Sequence, residues 1–145
     1  MLSRLLERLF RRGPIRNKED GSSFQRYLKS FFHAIEGFVY CVRYEHNMII
    51  IIISTILVVL FGFLFRISAG EWLFVISMIG AVTACEMINS SIEAAVDLVT
   101  SDIKPLAKIA KDAASSATLV LSATSLIGAL IIFAPKIYDF IIYVI

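Results

Sequence analysis

Three apolar segments, each about as long as a lipid bilayer is thick, constrain the fold of this chain more than any other feature. They are residues 48–65, 72–96 and 118–134, and the first and third contain no charged residue. A helix that crosses a hydrocarbon core of about 30 Å needs ~20 apolar residues. The whole chain is 58% hydrophobic, whereas soluble domains are about 45–50% apolar. We therefore predict an all-α membrane protein with three transmembrane helices.

The second apolar segment carries polar side chains that a membrane-spanning helix normally avoids. Glu86, Asn89, Glu93 and Asp97 are spaced three, four and four residues apart, so they share one helical face. A charged side chain at the centre of a bilayer costs at least ~2.5 kcal/mol. An acidic face at this depth therefore indicates a functional site.

Basic residues are distributed unequally along the chain. Of the 14 Lys and Arg residues, nine precede the first apolar segment and three lie between the second and third, which leaves only Arg66 and Lys136 for the opposite side. By the positive-inside rule, the N-terminus and the loop 97–116 are predicted to be cytoplasmic and the C-terminus to lie outside. The formal net charge of +2 is too small to indicate a nucleic-acid partner, and the basic residues suit lipid headgroups or phosphates.

Two further segments precede the first span. Residues 1–23 form a basic N-terminal extension and linker, in which arginines alternate with apolar residues over 2–12. That pattern fits a short amphipathic anchor or a solvated basic tail. Residues 24–43 carry apolar side chains at helical spacing, with charged residues on the other face. We predict an interfacial helix on the inner leaflet, with a partner-binding helix as the alternative, and a single membrane domain over 24–145.

Carboxylates at two depths indicate a chemistry that joins a water-soluble reactant to a lipid. With Trp72 as an outer interfacial anchor, Glu86 lies ~21 Å into the membrane and Glu93 ~32 Å, level with Glu45 before the first span. Mg²⁺ is often held by one or two carboxylates plus substrate oxygens, which Glu45 and Glu93 can supply. Lys111 can neutralise phosphate oxygens, and Glu86, which is further from water, can accept a proton from a lipid alcohol. No glycine-rich nucleotide loop is present in the sequence.

A long motif resembles that of a known family. The run Glu-Met-Ile-Asn-Ser-Ser-Ile-Glu-Ala-Ala-Val-Asp over 86–97, followed by Pro-Leu-Ala-Lys-Ile-Ala-Lys-Asp-Ala-Ala over 105–114, resembles the signature of the small prokaryotic integral-membrane lipid kinases. These are the bacterial diacylglycerol kinases and undecaprenol kinases. The resemblance extends over about 24–132. It implies a homotrimer in the bacterial inner membrane, with three transmembrane helices and one interfacial helix per chain. It also implies Mg-ATP as phosphoryl donor and active sites shared between subunits at the cytoplasmic interface.

The resemblance also assigns roles to individual residues. It implies that Glu45 and Glu93 bind the metal and that Glu86 is the general base. The residues expected to bind nucleotide and phosphates are Arg26, Asn89, Asp97, Lys111 and Asp112. Lys29 and Ile35, on the interfacial helix, are expected to contact the lipid.

The lipid substrate is predicted from smaller features of the same resemblance. The 105–114 loop and the run Glu45-His-Asn-Met48 look more like the undecaprenol kinases, and Ile35 stands where diacylglycerol-specific enzymes tend to carry tryptophan. We predict an ATP-dependent kinase that phosphorylates the hydroxyl of undecaprenol. The alternatives are a diacylglycerol kinase and, from another class, a cation or proton channel subunit whose Glu86 and Glu93 line a pore. The tail 138–145 lies outside the resemblance.

Overall fold

Helices account for nearly all of the structure, a computed structural model that describes residues 23–100, 102 and 104–144. In chain order they are α1 (Ser23–Tyr44), α2 (His46–Leu64), α3 (Ala69–Val99) and α4 (Pro105–Val144). The described part of the chain contains no strand. Three of the helices, α2, α3 and α4, are long and apolar enough to cross a membrane. The predicted all-α fold with three spans is confirmed, whereas the extension 1–22 lies outside the described residues.

Helix α1 matches the predicted amphipathic segment in its bounds. The chain consists of two compact units whose boundary lies within this helix. One unit ends at Glu36 and the other begins at Gly37. In the first unit, the large apolar side chains Phe24, Tyr27 and Phe31 are exposed, as expected of a helix that offers an apolar face to lipid or protein. Its placement on the inner leaflet stays a prediction.

A single residue separates α1 from α2. Glu45 has an extended backbone (φ −98, ψ 119) and precedes the first turn of α2. Its N–H donates to the Cys41 carbonyl at 2.9 Å, and its own carbonyl accepts from the Met48 N–H at 3.2 Å. The chain therefore passes from one helix to the next without a loop.

The turn between α2 and α3 is closed by a capping box. The Ser68 hydroxyl accepts the Glu71 N–H at 3.3 Å, and the Glu71 carboxylate accepts the Ser68 N–H at 2.6 Å. Arg66 has φ 49, which allows the chain to reverse direction after α2. The Trp72 ring lies so close to Gly62 that a Cβ there would be 2.7 Å from it. Trp72 thus packs α3 against the end of α2.

Helices α3 and α4 are antiparallel and joined by an ion pair near each end. Lys111 contacts Asp97 at 2.5 Å, and Lys136 contacts Glu71 at 3.0 Å. About 25 residues, or ~38 Å of helix, separate the two pairs. Between them, the bare backbone of Gly128 makes room for the Phe74 ring.

The largest difference from the sequence prediction is the length of α4. Residues 105–116 were expected in a cytoplasmic loop, but α4 begins at Pro105 and is 40 residues long. The reason is that charge lowers hydropathy without opposing helix formation. Alanine and lysine, which are frequent between 107 and 114, are both strong helix formers, and proline suits the first helical position.

Candidate active site

Glu86 is a buried carboxylate held by a residue from another helix. Its side chain on α3 is 1% exposed. Asn47, in the first turn of α2, donates an amide N–H from Nδ2 to Glu86 Oε1 at 2.8 Å. Ser90 donates its hydroxyl to the Glu86 backbone carbonyl at 3.0 Å. A hydrogen bond to a charged, water-excluded group is stronger than one between neutral groups. Asn47 therefore fixes the direction of this carboxylate.

Two buried oxygens on the same face of α3 have no hydrogen-bond partner among the described residues. They are Glu86 Oε2 and Asn89 Oδ1. Buried acceptors are rarely left unpaired, because each lost hydrogen bond costs about 1–3 kcal/mol. The Asn89 amide is oriented by donating from Nδ2 to Glu93 Oε1 at 3.2 Å. The two free oxygens are thus one turn apart and suited to accept donors from a ligand.

The predicted metal-binding carboxylates lie on one side of the Asn47–Glu86 contact. Because α2 and α3 run in opposite directions, the step from Asn47 to Glu45 and the step from Glu86 to Glu93 lead towards the same membrane surface. Both carboxylates are half-buried, and that of Glu45 makes no capping hydrogen bond.

The donor set is compatible with magnesium. The described residues contain no cluster of three His, Cys, Asp or Glu side chains for a metal. Mg²⁺ does not need one, since it takes one or two carboxylates and completes its shell with water and phosphate oxygens. Glu45 and Glu93 fit that requirement, and their role as metal ligands stays a prediction.

Three of the predicted phosphate-binding residues, Asp97, Lys111 and Asp112, lie near the end of α3 and the start of α4. Lys111 is paired with Asp97 at 2.5 Å, and Lys108, one turn earlier on α4, is paired with Asp112. The antiparallel helices α3 and α4 form a hairpin. The two pairs place both aspartates and both lysines at one end of this hairpin, beyond Glu93 on α3. Two ammonium groups at a membrane surface suit the polyphosphate of a nucleotide.

Three of the predicted residues belong to the first unit of the chain. Arg26 is exposed and donates from Nη2 to Ser23 Oγ at 3.2 Å, and Ile35 is also exposed. The predicted contacts of Arg26 with phosphates, and of Lys29 and Ile35 with lipid, stay predictions.

The sequence pattern does not by itself identify Asn47 as a functional residue. A polar side chain at the edge of a span normally faces water, which makes it unremarkable by itself. The available signal was its position inside the first turn of an otherwise apolar helix, where an amide needs a partner within the protein. Glu86, the deepest acidic residue of α3, is that partner.

Comparison with known proteins gives consistent matches. The family model described as prokaryotic diacylglycerol kinase matches residues 32–133. The undecaprenol kinase of Bacillus subtilis is 38% identical over 121 residues, which cover 83% of this chain and 98% of that protein. A diacylglycerol kinase of Helicobacter pylori is 37% identical over 99 residues, covering 67% of this chain and 76% of that protein. The diacylglycerol kinase of Pseudomonas aeruginosa is 30% identical over 99 residues, which cover 68% of this chain and 80% of that protein.

Proposed function

We infer that this chain, which belongs to the prokaryotic diacylglycerol kinase family and is a lipid kinase, uses ATP to phosphorylate the hydroxyl of undecaprenol. A kinase of this family implies ATP as the phosphoryl donor. Membership in the family also removes the basis for the channel alternative, because the same acidic face is accounted for by phosphoryl transfer. The observation that carries the assignment of the base is the buried, unpartnered Oε2 of Glu86.

The geometry of Glu86 supports a role as general base. The lipid hydroxyl donates its hydrogen bond to Oε2, while Asn47 holds Oε1. As the hydroxyl oxygen attacks the γ-phosphorus of ATP, its proton passes to Glu86. The new bond joins the lipid oxygen to phosphorus, the bond between the γ-phosphorus and the β,γ-bridging oxygen breaks, and ADP leaves.

Charge compensation is the second requirement of phosphoryl transfer. Mg²⁺, when bound by Glu45 and Glu93, supplies positive charge to the phosphate oxygens. Lys111 adds an ammonium group, and its pairing with Asp97 keeps it at the end of the hairpin. Asn89, oriented by its hydrogen bond to Glu93, keeps its carbonyl oxygen one turn from Glu86, as an acceptor for a donor group of the ligand. Asp112 holds the Lys108 ammonium group by an ion pair, as Asp97 holds that of Lys111.

Undecaprenol is favoured over diacylglycerol by two features. The match to the undecaprenol kinase covers 98% of that protein, while the matches to the diacylglycerol kinases cover 76% and 80%. Ile35 replaces the tryptophan expected in diacylglycerol-specific enzymes. Diacylglycerol remains the second candidate, because proteins that are 37% and 30% identical carry that name.

We further propose that the enzyme is a homotrimer with a cytoplasmic N-terminus and active site and an external C-terminus. The distribution of basic residues supports this orientation. Exposed small and apolar residues along α3 leave a face on which copies of the helix can pack.

A substrate competition assay tests this function. Purified protein in mixed micelles receives Mg²⁺, radiolabelled ATP and equal mole fractions of undecaprenol and diacylglycerol. We expect labelled undecaprenyl phosphate to exceed labelled phosphatidate by at least about tenfold, since methylene-scale differences in a pocket already give that ratio. The reverse ratio would assign the chain to diacylglycerol, and no label in either lipid from folded protein would refute the assignment. Glu86→Gln serves as the inactive control.

A further inference from the structure

A cavity between all three spans begins one helical turn from the candidate general base. It has a volume of ≈ 260 Å³ and is lined by side chains of α2, α3 and α4. Ile51 on α2 lies four residues beyond Asn47, and Val82 on α3 lies four residues before Glu86, so both continue the faces that form the Asn47–Glu86 contact. The cavity is therefore a continuation of the catalytic site towards the middle of the membrane.

Small side chains on α2 and α4 keep this space open. Ser54 on α2, together with Ser122, Ser125 and Ala129 on α4, line it where larger apolar side chains would close the gap. Phe74, whose ring lies against Gly128, lines the end furthest from Glu86. Along α3 the lining extends from Phe74 to Val82, or ~12 Å of helix.

We propose that this cavity binds the hydroxyl-bearing end of a single polyisoprenyl chain, that of the acceptor lipid. This site presupposes the lipid kinase activity and the role of Glu86 proposed above. A lipid whose hydroxyl meets Glu86 Oε2 must direct its chain away from the cytoplasmic surface, and the cavity lies in that direction. An apolar cavity of about 150 Å³ accommodates benzene, so ≈ 260 Å³ accommodates roughly two groups of isoprene size.

The same dimensions explain discrimination between the two candidate acceptors. Undecaprenol has one chain attached to its hydroxyl-bearing carbon. Diacylglycerol has two ester-linked chains on the other two carbons of its glycerol backbone, so that its chains branch at the carbon next to the hydroxyl-bearing one. The cavity between the three helices has room for the single chain of undecaprenol, whereas the two chains of diacylglycerol would need about twice that space beside the hydroxyl group. The cavity is thus a specificity determinant as well as a binding site.

A filling substitution with a matched control tests the site by kinetics. Ser125→Leu places a large apolar side chain inside the cavity, whereas Ala123→Leu adds a side chain of the same kind to an exposed position of α4 outside the lining. We expect Ser125→Leu to raise the KM for undecaprenol by at least about tenfold. Turnover of a short alcohol such as butanol, whose chain ends before the cavity, should stay unchanged. Ala123→Leu should leave both values unchanged.

Photolabelling of the unaltered protein locates the chain directly and does not depend on the variant folding. The probe is a prenol that carries a diazirine on its second isoprene unit, and the control probe is a phospholipid with the diazirine in an acyl chain. We expect the prenol to label Met78 and Val82, and the phospholipid to label exposed residues such as Ile76. Equal labelling of Met78 by both probes would assign the cavity to bilayer lipid and overturn the proposal.

The kinase assignment and the cavity site fail in different ways. If the unaltered enzyme phosphorylates neither lipid, the proposed function is wrong. If it phosphorylates undecaprenol, but Ser125→Leu keeps the KM and the prenol labels only exposed residues, the function stands and the cavity site is wrong. A change in oligomeric state on Ser125→Leu, without a change in KM, would assign the cavity to contacts with a second copy and likewise overturn it.

Discussion

Replacement of Asn47 by leucine tests whether Glu86, the proposed base, must be held from a second helix. Asn47 donates one hydrogen bond at 2.8 Å to a carboxylate that is 1% exposed. Leucine has a similar shape and is favourable in a membrane span, so Asn47→Leu should still insert and fold, at a cost of about 1–3 kcal/mol for the unpaired Glu86 Oε1. What it removes is the hydrogen bond that fixes Glu86 Oε1.

The expected loss can be estimated from that one contact. A hydrogen bond to a charged group contributes about 1.5–3 kcal/mol, and each 1.36 kcal/mol changes a rate tenfold. Asn47→Leu should therefore lower kcat by about 10- to 150-fold. The KM for ATP should remain unchanged, because Asn47 contacts the proposed base and not the residues assigned to the phosphates.

The assay compares acceptors of different acidity in detergent micelles. A fluorinated analogue of the prenol, whose hydroxyl is more acidic, needs less help from a base. The variant should therefore lose less activity with the analogue than with the natural alcohol. Thr118→Val is the control, since it removes another contact between helices, from the Thr118 hydroxyl to Cys85 Sγ at 3.6 Å, beside Glu86 but not to it. Full activity of Asn47→Leu, or an equal loss with both acceptors, would refute the positioning role.

Three further substitutions test the site and the packing that supports it. Glu86→Gln should lower kcat by about 10²–10⁴ while circular dichroism keeps the helical signal, and a rate near that of the unaltered enzyme would exclude Glu86 as the base. Glu93→Gln should raise the Mg²⁺ concentration that gives half-maximal activity by at least about tenfold, measured by magnesium titration at saturating ATP; an unchanged requirement would remove Glu93 from the metal site. Gly128→Ala places a Cβ 2.1 Å from the Phe74 ring and should destabilise the fold by about 1–3 kcal/mol in a thermal unfolding series. Gly37→Ala on α1, where a Cβ would meet no atom within 4 Å, should not, and equal stability of the two variants would contradict this packing.

The acidic face of α3 could be predicted from the sequence because it depends on one helix alone. The spacing of Glu86, Asn89 and Glu93 fixes their common face whatever surrounds them. The three spans follow in the same way from the length of each apolar run. Local periodicity is sufficient for both features.

The contacts between helices could not be predicted in this way. Asn47 and Glu86 are 39 residues apart, and their meeting depends on how α2 is rotated against α3. That rotation is set by packing, including the Trp72 ring on Gly62, which hydropathy does not report. The start of α4 at Pro105 was missed for a different reason, since charge ended the apolar run but not the helix.

The ion pairs at the two ends of the α3–α4 hairpin make it a spacer of fixed length. A shift of one helix past the other by a single turn would separate Asp97 from Lys111 and Glu71 from Lys136 at the same time. The two pairs therefore oppose such sliding, and the ~38 Å between them is close to the thickness of a bilayer of about 40–45 Å including headgroups. In a thinner or thicker membrane, the lipid must stretch or compress around the protein, or the whole hairpin must tilt. The depth of Glu86, the proposed base, would then be set by the protein and not by the membrane that surrounds it.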